Sequence, residues 1–419
     1  MGSMVVSGLK DGREPRRDMC CCASLMDIAK RVEIRDLLVV IASVCAIFNY
    51  GSSWTGLTGS QLTLLRLGIA LFACLLFDFR LSWKSLDFYE KAGLVYCGIV
   101  FAGGLFGKIS PGSAWVEGIT GALLFLVPSQ FRRKYGNELA GLVICVTTCV
   151  LIAIADVFAI ATAGKGFVTQ DNEFLSSSNY LIGDKFLLSY MNMLCFALLY
   201  WRFPSVISLV VFGSISLFMS FLVECSTGVT GTLLMIAVIV LSYPLRAVPT
   251  SRYFVPTMTV LLAIVAVAFT GLLTWGPFGH FITNILGESS DLTGRTLIYP
   301  VLMALFLKRP LFGYLTGNGA NQAVVAACGA ADAQEGLFHI LLSNGLVGAV
   351  TFLVMEYAVL EKTRFMQRRE QGIYAFIFAM TACSVVEINL GLPLLFGLSF
   401  LAMSLKADER PTTDDRDES

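Results

Sequence analysis

The sequence has little charge and no excess of either sign. Charged residues make up 14% of the 419 positions, with 30 Lys and Arg balanced by 30 Asp and Glu, whereas a soluble domain carries about 25%. This balance excludes a nucleic-acid-binding protein that works through a basic excess, and also an acidic disordered chain. The chain has only two histidines, so a His-rich metal site is not available.

Apolar residues, by contrast, are abundant. They make up 56% of the chain, against about 45–50% in soluble domains. About twelve runs approach the ~20 residues that a spanning helix needs: 36–53, 61–79, 92–107, 113–130, 138–163, 186–201, 203–223, 229–246, 253–275, 341–361, 372–388 and 390–405. Most of the 12 cysteines lie inside these runs, which is typical of small buried residues. The composition therefore predicts an all-α, polytopic transmembrane bundle of about twelve spans.

The basic residues are sorted by side, as the positive-inside rule expects. With the N-terminus placed inside, 23 of the 30 Lys and Arg residues fall in inner segments and six fall outside. This sorting predicts a multi-pass membrane protein with both termini in the cytoplasm. The predicted regions are an inner N-terminal tail, nine spans, one large periplasmic loop, three further spans and an inner C-terminal tail: 1–35, 36–275, 276–340, 341–405 and 406–419.

The loop 276–340 is by far the longest connection, and a loop of this length in a compact membrane protein is usually functional. Apolar pairs between Leu297 and Phe306 recur at helical spacing, which predicts an amphipathic helix near the membrane surface. Pro310 ends this helix, and a glycine-rich turn follows. A second amphipathic stretch is predicted over about 320–343, leading into the next span.

Short motifs follow one another along this loop. They are Thr293-Gly294-Arg295, then Pro310-Leu311-Phe312-Gly313 with further glycines, then His339 shortly before Asn344-Gly345-Leu346-Val347-Gly348. This order resembles the O-antigen ligase/O-antigen polymerase superfamily, whose members are polytopic glycosyltransferases that use polyprenyl-diphosphate-linked sugars. About twelve spans with one large outer loop near the C-terminal end is also the layout of that superfamily. The resemblance implies a protein of the bacterial inner membrane whose large loop is periplasmic. The sequence departs from its pattern at Thr227, where members often have Arg, and at Ile340, where they often have Asn.

Three residues of the loop are the predicted catalytic residues. Transfer from a lipid diphosphate needs a group that takes a proton from the acceptor hydroxyl, and His339 is the candidate base. It also needs a cation for the leaving diphosphate, and Arg295 suits this because its fork binds phosphate oxygens and keeps its charge. Glu335 lies one turn before His339 and is placed to orient the imidazole. The alternatives are a structural histidine at the helix entry and an arginine that reaches lipid headgroups.

Four other loop residues are candidates for substrate binding. Arg309 is a candidate for the second phosphate, or else the solvated end of a helix. Gly313, Gly317 and Gly319 would let backbone N–H groups approach a phosphate, although a plain turn explains the same residues.

Two candidates come from predicted spans. Arg66 lies inside the second span, where a charge is costly and needs a partner, either Glu117 or Asp156. It would pair structurally with one of them or line a cavity for the diphosphate. Glu387, at the outer end of the eleventh span, looks like the acidic position of the superfamily and would close the site.

The leading prediction is a membrane glycosyltransferase, free of metal and cofactor, that polymerises polyprenyl-diphosphate-linked repeat units at the periplasmic face. The product would be O-antigen, capsular polysaccharide or exopolysaccharide. The first alternative is the ligase reaction, with lipid A-core as acceptor. The second is a polysaccharide transporter or flippase, although no internal repeat is visible. The expected partners are the lipid-linked glycan donor, the glycan acceptor and the lipid bilayer, with a chain-length regulator protein as a further candidate and no nucleic acid.

Overall fold

A computed structural model describes residues 32–50, 55–78, 83–168, 178–245, 252–268, 295–361, 363 and 366–405. Most of the predicted N-terminal tail, the whole predicted C-terminal tail and residues 276–294 of the predicted outer loop lie outside the described residues.

The described chain is helical. Its helices are α1 (Ile34–Cys45), α2 (Gly59–Leu76), α3 (Phe88–Phe106), α4 (Pro111–Tyr135), α5 (Asn137–Ala161), α6 (Lys185–Arg202), α7 (Val206–Leu222), α8 (Ser226–Leu245), α9 (Phe254–Ala268), α10 (Arg295–Lys308), α11 (Gly317–Cys328), α12 (Gly336–Leu360), α13 (Gln371–Cys383) and α14 (Leu392–Ser404). A helix lies in each of the twelve apolar ranges, and α10 and α11 lie in the long loop.

Four of these helices, α2, α4, α5 and α12, are long and apolar enough to cross a membrane. Six further helices are apolar but shorter. The helical class is therefore confirmed, and the apolar helices agree with a protein of the lipid bilayer.

A small antiparallel sheet stands between α5 and α6. Its three strands, β1 (Phe167–Val168), β2 (Ser178–Tyr180) and β3 (Gly183–Asp184), pair in the order β1-β2-β3. The Tyr180 hydroxyl donates to the Gly164 carbonyl oxygen at 2.5 Å, and Asn49 N donates to the Ile182 carbonyl oxygen at 2.7 Å. The sheet therefore ties the end of α1 to the α5–α6 connection.

Charged residues at the ends of α1, α3 and α4 form ion pairs on the side predicted to face the cytoplasm. Lys134 Nζ lies 2.8 Å from Asp36 Oδ2, and Arg133 Nη2 lies 3.0 Å from Glu90 Oε2. Glu90 is fully buried, so this pair satisfies a carboxylate that water cannot reach. These contacts fix three helices at one end of the bundle, away from the long loop.

The described part of the long loop packs on the bundle instead of standing apart from it. Helix α10 contacts α9, α11 and α12, and α11 contacts α4 and α12. Ile298, Leu302 and Leu305, which carry the helical spacing noted in the sequence, are buried. A helix was thus predicted correctly at this position, and the apolar residues that carry its spacing are buried against protein. Its exposed side also carries apolar residues, Met303 and Leu307, so the predicted polar face is not seen.

Candidate functional site

A cavity of about 310 Å³ lies where α2, α3 and α4 meet the first turns of α11, α12 and α14. Helices far apart in the sequence bring polar and titratable side chains into its wall, namely Asn49, Arg66, Tyr96, Glu117, Thr316, His339, Ser343 and Asn344. Two residues that the sequence analysis selected for separate reasons, Arg66 and His339, therefore line one cavity.

The guanidinium of Arg66 is only weakly engaged by protein. Its Nη1 donates to Asn49 Oδ1 at 3.4 Å and its Nη2 to the Ala46 carbonyl oxygen at 3.5 Å, which are both long hydrogen bonds. The buried Nε has no acceptor among the described residues. Glu117 lies in the same cavity and stabilises the Arg66 charge electrostatically. Arg66 therefore retains N–H groups for an anionic ligand in the cavity.

Of the two partners predicted for Arg66, Glu117 is the one that shares its cavity. Asp156 instead accepts a hydrogen bond of 2.8 Å from Asn192 Nδ2 in another part of the bundle. Glu117 is the one charged residue of the apolar run 113–130, and that isolation was the sequence signal for a site residue.

His339 lies in the first turn of α12, and its imidazole lines the cavity. Its backbone N–H donates to the Glu335 carbonyl oxygen at 3.0 Å, and its own carbonyl oxygen accepts from Ser343 Oγ at 2.6 Å. The buried Nδ1 has no hydrogen-bond partner within the described ranges. A cavity-lining imidazole without such a partner is chemically suited to exchange a proton with a bound ligand.

Glu335 caps α12. Its Oε2 accepts a hydrogen bond of 2.5 Å from Phe338 N, while Oε1 has no partner among the described residues. Burial of the side chain raises the pKa of Glu335 to about 7, although the helix N–H groups oppose this shift. The hydrogen bond seen here runs to the helix backbone and not to the imidazole, so Glu335 positions the turn that carries His339.

The N-terminus of α11 also faces the cavity, because Thr316 and Gly317 are part of its lining. Thr316 Oγ1 accepts from Gly319 N at 3.0 Å and donates to the Ile109 carbonyl oxygen at 2.9 Å. This cap ties the start of α11 to the α3–α4 turn. Free N–H groups at a helix N-terminus attract anions, so the predicted glycine turn lies beside the histidine as the start of a helix.

Two of the motifs in the long loop contact each other directly. Helix α12 leaves helical geometry at Gly345, which has φ 66° and ψ −165°. The segment 310–313 fills the break: Leu346 N donates to the Pro310 carbonyl oxygen at 2.8 Å, and Val347 N donates to that of Leu311 at 3.2 Å. A break in a helix leaves backbone N–H groups without their helical acceptors. Here the carbonyl oxygens of Pro310 and Leu311 accept from the N–H groups that follow Gly345.

Glycine is required on both sides of this contact. A side chain on Gly345 would collide with the Leu311 carbonyl oxygen, and one on Gly313, where φ is 60°, would collide with that of Leu342. Just beyond, Leu315 has a φ of 73°, a conformation that costs a non-glycine residue about 1–3 kcal/mol and is common at functional sites. The contact between the motifs holds the start of α11 against the cavity.

An apolar groove of about 410 Å³ adjoins the cavity. It is lined by Ile99, Ala102, Gly103, Phe106, Phe312, Leu315, Asn344 and Val347. Leu315 and Asn344 line both the groove and the cavity. Phe106 and Phe312 are largely exposed, so the groove opens on the outer surface of the bundle. The polar cavity and the apolar groove thus share part of their lining.

The predicted cation Arg295 is the first residue of α10, and its side chain lies outside the described part of the chain. One turn later, the Tyr299 hydroxyl lies 3.2 Å from the Gln334 carbonyl oxygen and 2.7 Å from that of Val385. These contacts place the first turn of α10 beside the segment that leads into Glu335.

Arg309 and Gly319 lie outside the lining of the cavity. Arg309 is exposed, and its guanidinium lies 5.0 Å from the centroid of the Tyr314 ring. Gly319 is buried in the first turn of α11, where its N–H satisfies the Thr316 cap.

Glu387 lies in the α13–α14 connection, next to Ile388, which lines the cavity. Its charge acts on Tyr190 of α6 and on Cys225, which directly precedes α8. Glu387 therefore lies near Cys225, two residues before Thr227, where the sequence departs from the pattern of the superfamily. Cys225 and Cys328 are both free thiols.

The sequence analysis gave no role to five polar residues that line the cavity, namely Asn49, Tyr96, Thr316, Ser343 and Asn344. Thr316 carried a usable signal, because Thr before Gly-Asn-Gly is a typical N-cap. Tyr96 and Asn344 carried none, since one tyrosine in a span and one asparagine before a glycine are ordinary. Within the described ranges, no three His, Cys, Asp or Glu side chains are grouped as a metal site would need.

Comparison of the chain with family models, curated proteins and solved structures finds no match.

Proposed function

We propose that the protein is a metal-independent membrane glycosyltransferase that polymerises polyprenyl-diphosphate-linked oligosaccharides into O-antigen, capsular polysaccharide or exopolysaccharide at the periplasmic face. The observation that carries the proposal is the wall shared by the polar cavity and the apolar groove at Leu315 and Asn344. A lipid-linked sugar diphosphate has an anionic, hydrogen-bonding head and a long apolar chain. Its two halves match the two halves of the site.

The head of the donor would lie in the cavity. Arg66 offers N–H groups that protein atoms engage only at 3.4–3.5 Å, and the α11 N-terminus adds backbone donors at Gly317. Both stabilise a phosphate group, Arg through its fixed fork and the helix through its dipole. Arg295, whose helix starts near Glu335, is the proposed second cation. The isoprenoid chain would lie against Phe106 and Phe312 in the groove.

The reaction would be a displacement at the anomeric carbon of the donor sugar. The acceptor hydroxyl oxygen attacks the anomeric carbon, and the bond between this carbon and the diphosphate oxygen breaks. The configuration at the anomeric carbon inverts. His339 takes the proton of the hydroxyl, and the diphosphate leaves on its lipid with its charge stabilised by Arg66 and Arg295. General-base catalysis contributes about 10²–10⁴ to the rate, and loss of one donor to a developing charge costs about 10²–10³.

The test is polymer formation by the reconstituted protein. Full-length protein in liposomes would be given lipid-linked repeat units extracted from a source strain lacking the gene, and the products would be separated by gel electrophoresis. We expect a ladder of repeat lengths with release of the lipid diphosphate. Transfer only to added lipid A-core would identify the ligase reaction instead. Movement of the donor across the bilayer without a new glycosidic bond would identify a flippase.

The matched variants are His339→Ala and Lys308→Ala. Lys308 is an exposed basic residue of α10 and has no place in the proposed chemistry. We expect the first variant to lose the ladder and the second to keep it, at equal protein per liposome. A full ladder from His339→Ala would contradict the assignment of the base.

A further inference from the structure

Helices α5, α6 and α7 form a trough on the outside of the bundle. Helices α5 and α7 both pack along α6 but have little contact with each other. The space between them is a cavity of about 220 Å³ with α6 as its floor, and it shares no lining residue with the cavity of Arg66 and His339. We call this cavity the α5–α7 trough; its lining comprises Cys149, Ile152, Ala153, Asp156, Asn192, Cys195, Phe196, Leu199, Phe212, Ile215 and Ser216.

A carboxyl group stands in this trough. Asp156 is the one charged residue of α5 beyond Glu138, and α5 is among the helices able to cross a membrane. It is half-buried, and Asn192 Nδ2 donates to its Oδ1 at 2.8 Å. Asn192, which is 4% exposed, also donates to the Leu188 carbonyl oxygen at 3.1 Å. One carboxylate oxygen is therefore held in a fixed direction by a buried amide.

Within the described ranges, no Lys, Arg or His forms an ion pair with Asp156. An ionisable side chain in an apolar helix is costly unless a partner group satisfies it, and such residues mark functional sites. Asn192 satisfies one oxygen with a neutral donor. The remaining capacity of the carboxylate faces the trough, so the missing partner is a hydrogen-bond donor or a cation that enters from the membrane side.

The rims of the trough are apolar and exposed. Val150, Ile154 and Val157 of α5 and Val211 and Phe218 of α7 are each at least 45% exposed. Ala153 is a small, exposed residue of the trough lining, and small residues allow two helix backbones to approach closely in a membrane. An apolar trough between two parallel ridges, with one polar group inside it, fits an apolar helix that carries one polar side chain.

We propose that the α5–α7 trough binds a membrane-spanning helix of a different protein, and that a Lys, Arg, Asn or Gln side chain of that helix pairs with Asp156. A second copy of this chain is disfavoured by charge. In a two-fold dimer the same patch meets itself, so two Asp156 carboxylates would face each other in an apolar setting. The inference is independent of the proposed reaction.

Photo-crosslinking in the membrane tests this inference. A benzophenone amino acid would replace Ala153 in the trough, and a control would carry it at Leu75 of α2, which is 84% exposed and lies on a different helix. Adducts would be formed in cells and the crosslinked peptides mapped by mass spectrometry. We expect the Ala153 probe to capture an apolar segment with a Lys, Arg, Asn or Gln within one turn of the crosslink, and the Leu75 probe not to capture it.

Exchanging the charges of Asp156 and its captured partner tests whether the adduct depends on their pairing. Asp156→Lys should reduce this adduct at least tenfold, and replacing the captured basic or amide residue by Asp should restore it. Asp156→Leu serves as a second variant if the lysine lowers the membrane level of the protein. Adducts with lipid alone, adducts between two copies of this chain, or an adduct unchanged by both Asp156 variants would each overturn the proposal.

Discussion

Gly317 lies directly against the imidazole of His339, since a methyl group built on Gly317 would stand 3.3 Å from His339 Nε2. The two residues are 22 positions apart in the sequence, and each had been selected for a different reason. Their contact places the first backbone turn of α11 next to the proposed base. The two residues are so close that an alanine at position 317, which adds one methyl group, tests whether this contact matters.

Gly317→Ala should therefore impair catalysis more than folding. The added methyl group crowds Nε2 and the space where the acceptor hydroxyl would lie, and we expect kcat to fall about tenfold, a barrier increase of about 1.4 kcal/mol. Polymer formation in liposomes measures the effect. Gly98→Ala in α3 is the matched control, because its Cβ would meet open space. Equal losses in the two variants would show that the contact with His339 has no special role.

Arg66 and Glu117 should depend on each other for stability. Removing the guanidinium in Arg66→Ala takes the compensating charge away from the Glu117 carboxylate, which is exposed to the cavity. Interactions between solvent-accessible charges contribute about 0–1 kcal/mol, so we expect a slightly lower thermal midpoint in detergent. The double variant Arg66→Met, Glu117→Leu should regain most of that stability but none of the activity. Activity in the double variant would exclude Arg66 from substrate binding.

The break in α12 should tolerate no side chain. Gly345→Ala puts a Cβ into the Leu311 carbonyl oxygen at a positive φ, so either the helix or the segment 310–313 must move. We expect a loss of more than about 2 kcal/mol in the free energy of unfolding, together with loss of polymer. Proteolysis and thermal unfolding would report the first effect. An alanine variant of wild-type stability would show that the two motifs are not held together.

Glu335 should make stability fall as pH rises. Burial raises its pKa to about 7 in the folded state, whereas the carboxyl of an unfolded chain titrates near pH 4.3. Between these values the folded protein binds more protons than the unfolded one, so the free energy of unfolding decreases with rising pH by up to about 4 kcal/mol and is then constant above pH 7.

The variant Glu335→Gln separates this group from all others. It keeps an oxygen that can accept from Phe338 N but has no proton to lose, so the slope of its thermal midpoint between pH 5 and 7 should be smaller than that of the wild type. Unfolding in detergent across this range measures the difference. Identical slopes would mean that another group dominates the pH dependence.

Removal of the proposed base gives the largest expected effect on rate. His339→Ala should lower kcat by about 10²–10⁴ with little change in donor binding, because Arg66 and the α11 N-terminus remain in place. Binding would be measured with a fluorescent lipid-linked donor in nanodiscs. A variant that binds the donor poorly but turns it over normally would assign His339 to recognition instead of proton transfer.

The sequence by itself determined the helical class and the positions of the helices. Hydropathy reports on burial and lipid contact one residue at a time, so every apolar run from 36–53 to 390–405 contains a helix. The spacing of Leu297, Val301 and Leu305 likewise predicted α10, because a helix repeats every 3.6 residues and needs no distant partner to show that period. The sheet of β1 to β3 escaped prediction, since strands of two or three residues carry too short a pattern.

Only the tertiary structure decided which of the candidates form a site. Arg66 had two possible partners in the sequence. The packing of α2 on α4 places Glu117 in the same cavity as Arg66, whereas Asp156 lies in the α5–α7 trough. Gly313 and Gly345 were isolated motif residues until the fold placed one carbonyl oxygen against each. The physical reason is that hydropathy and spacing are local, whereas a cavity is made by side chains from several helices whose approach depends on packing. The zero net charge of the chain thus conceals one arginine and one glutamate that share a cavity in the bundle, and one carboxylate in the trough.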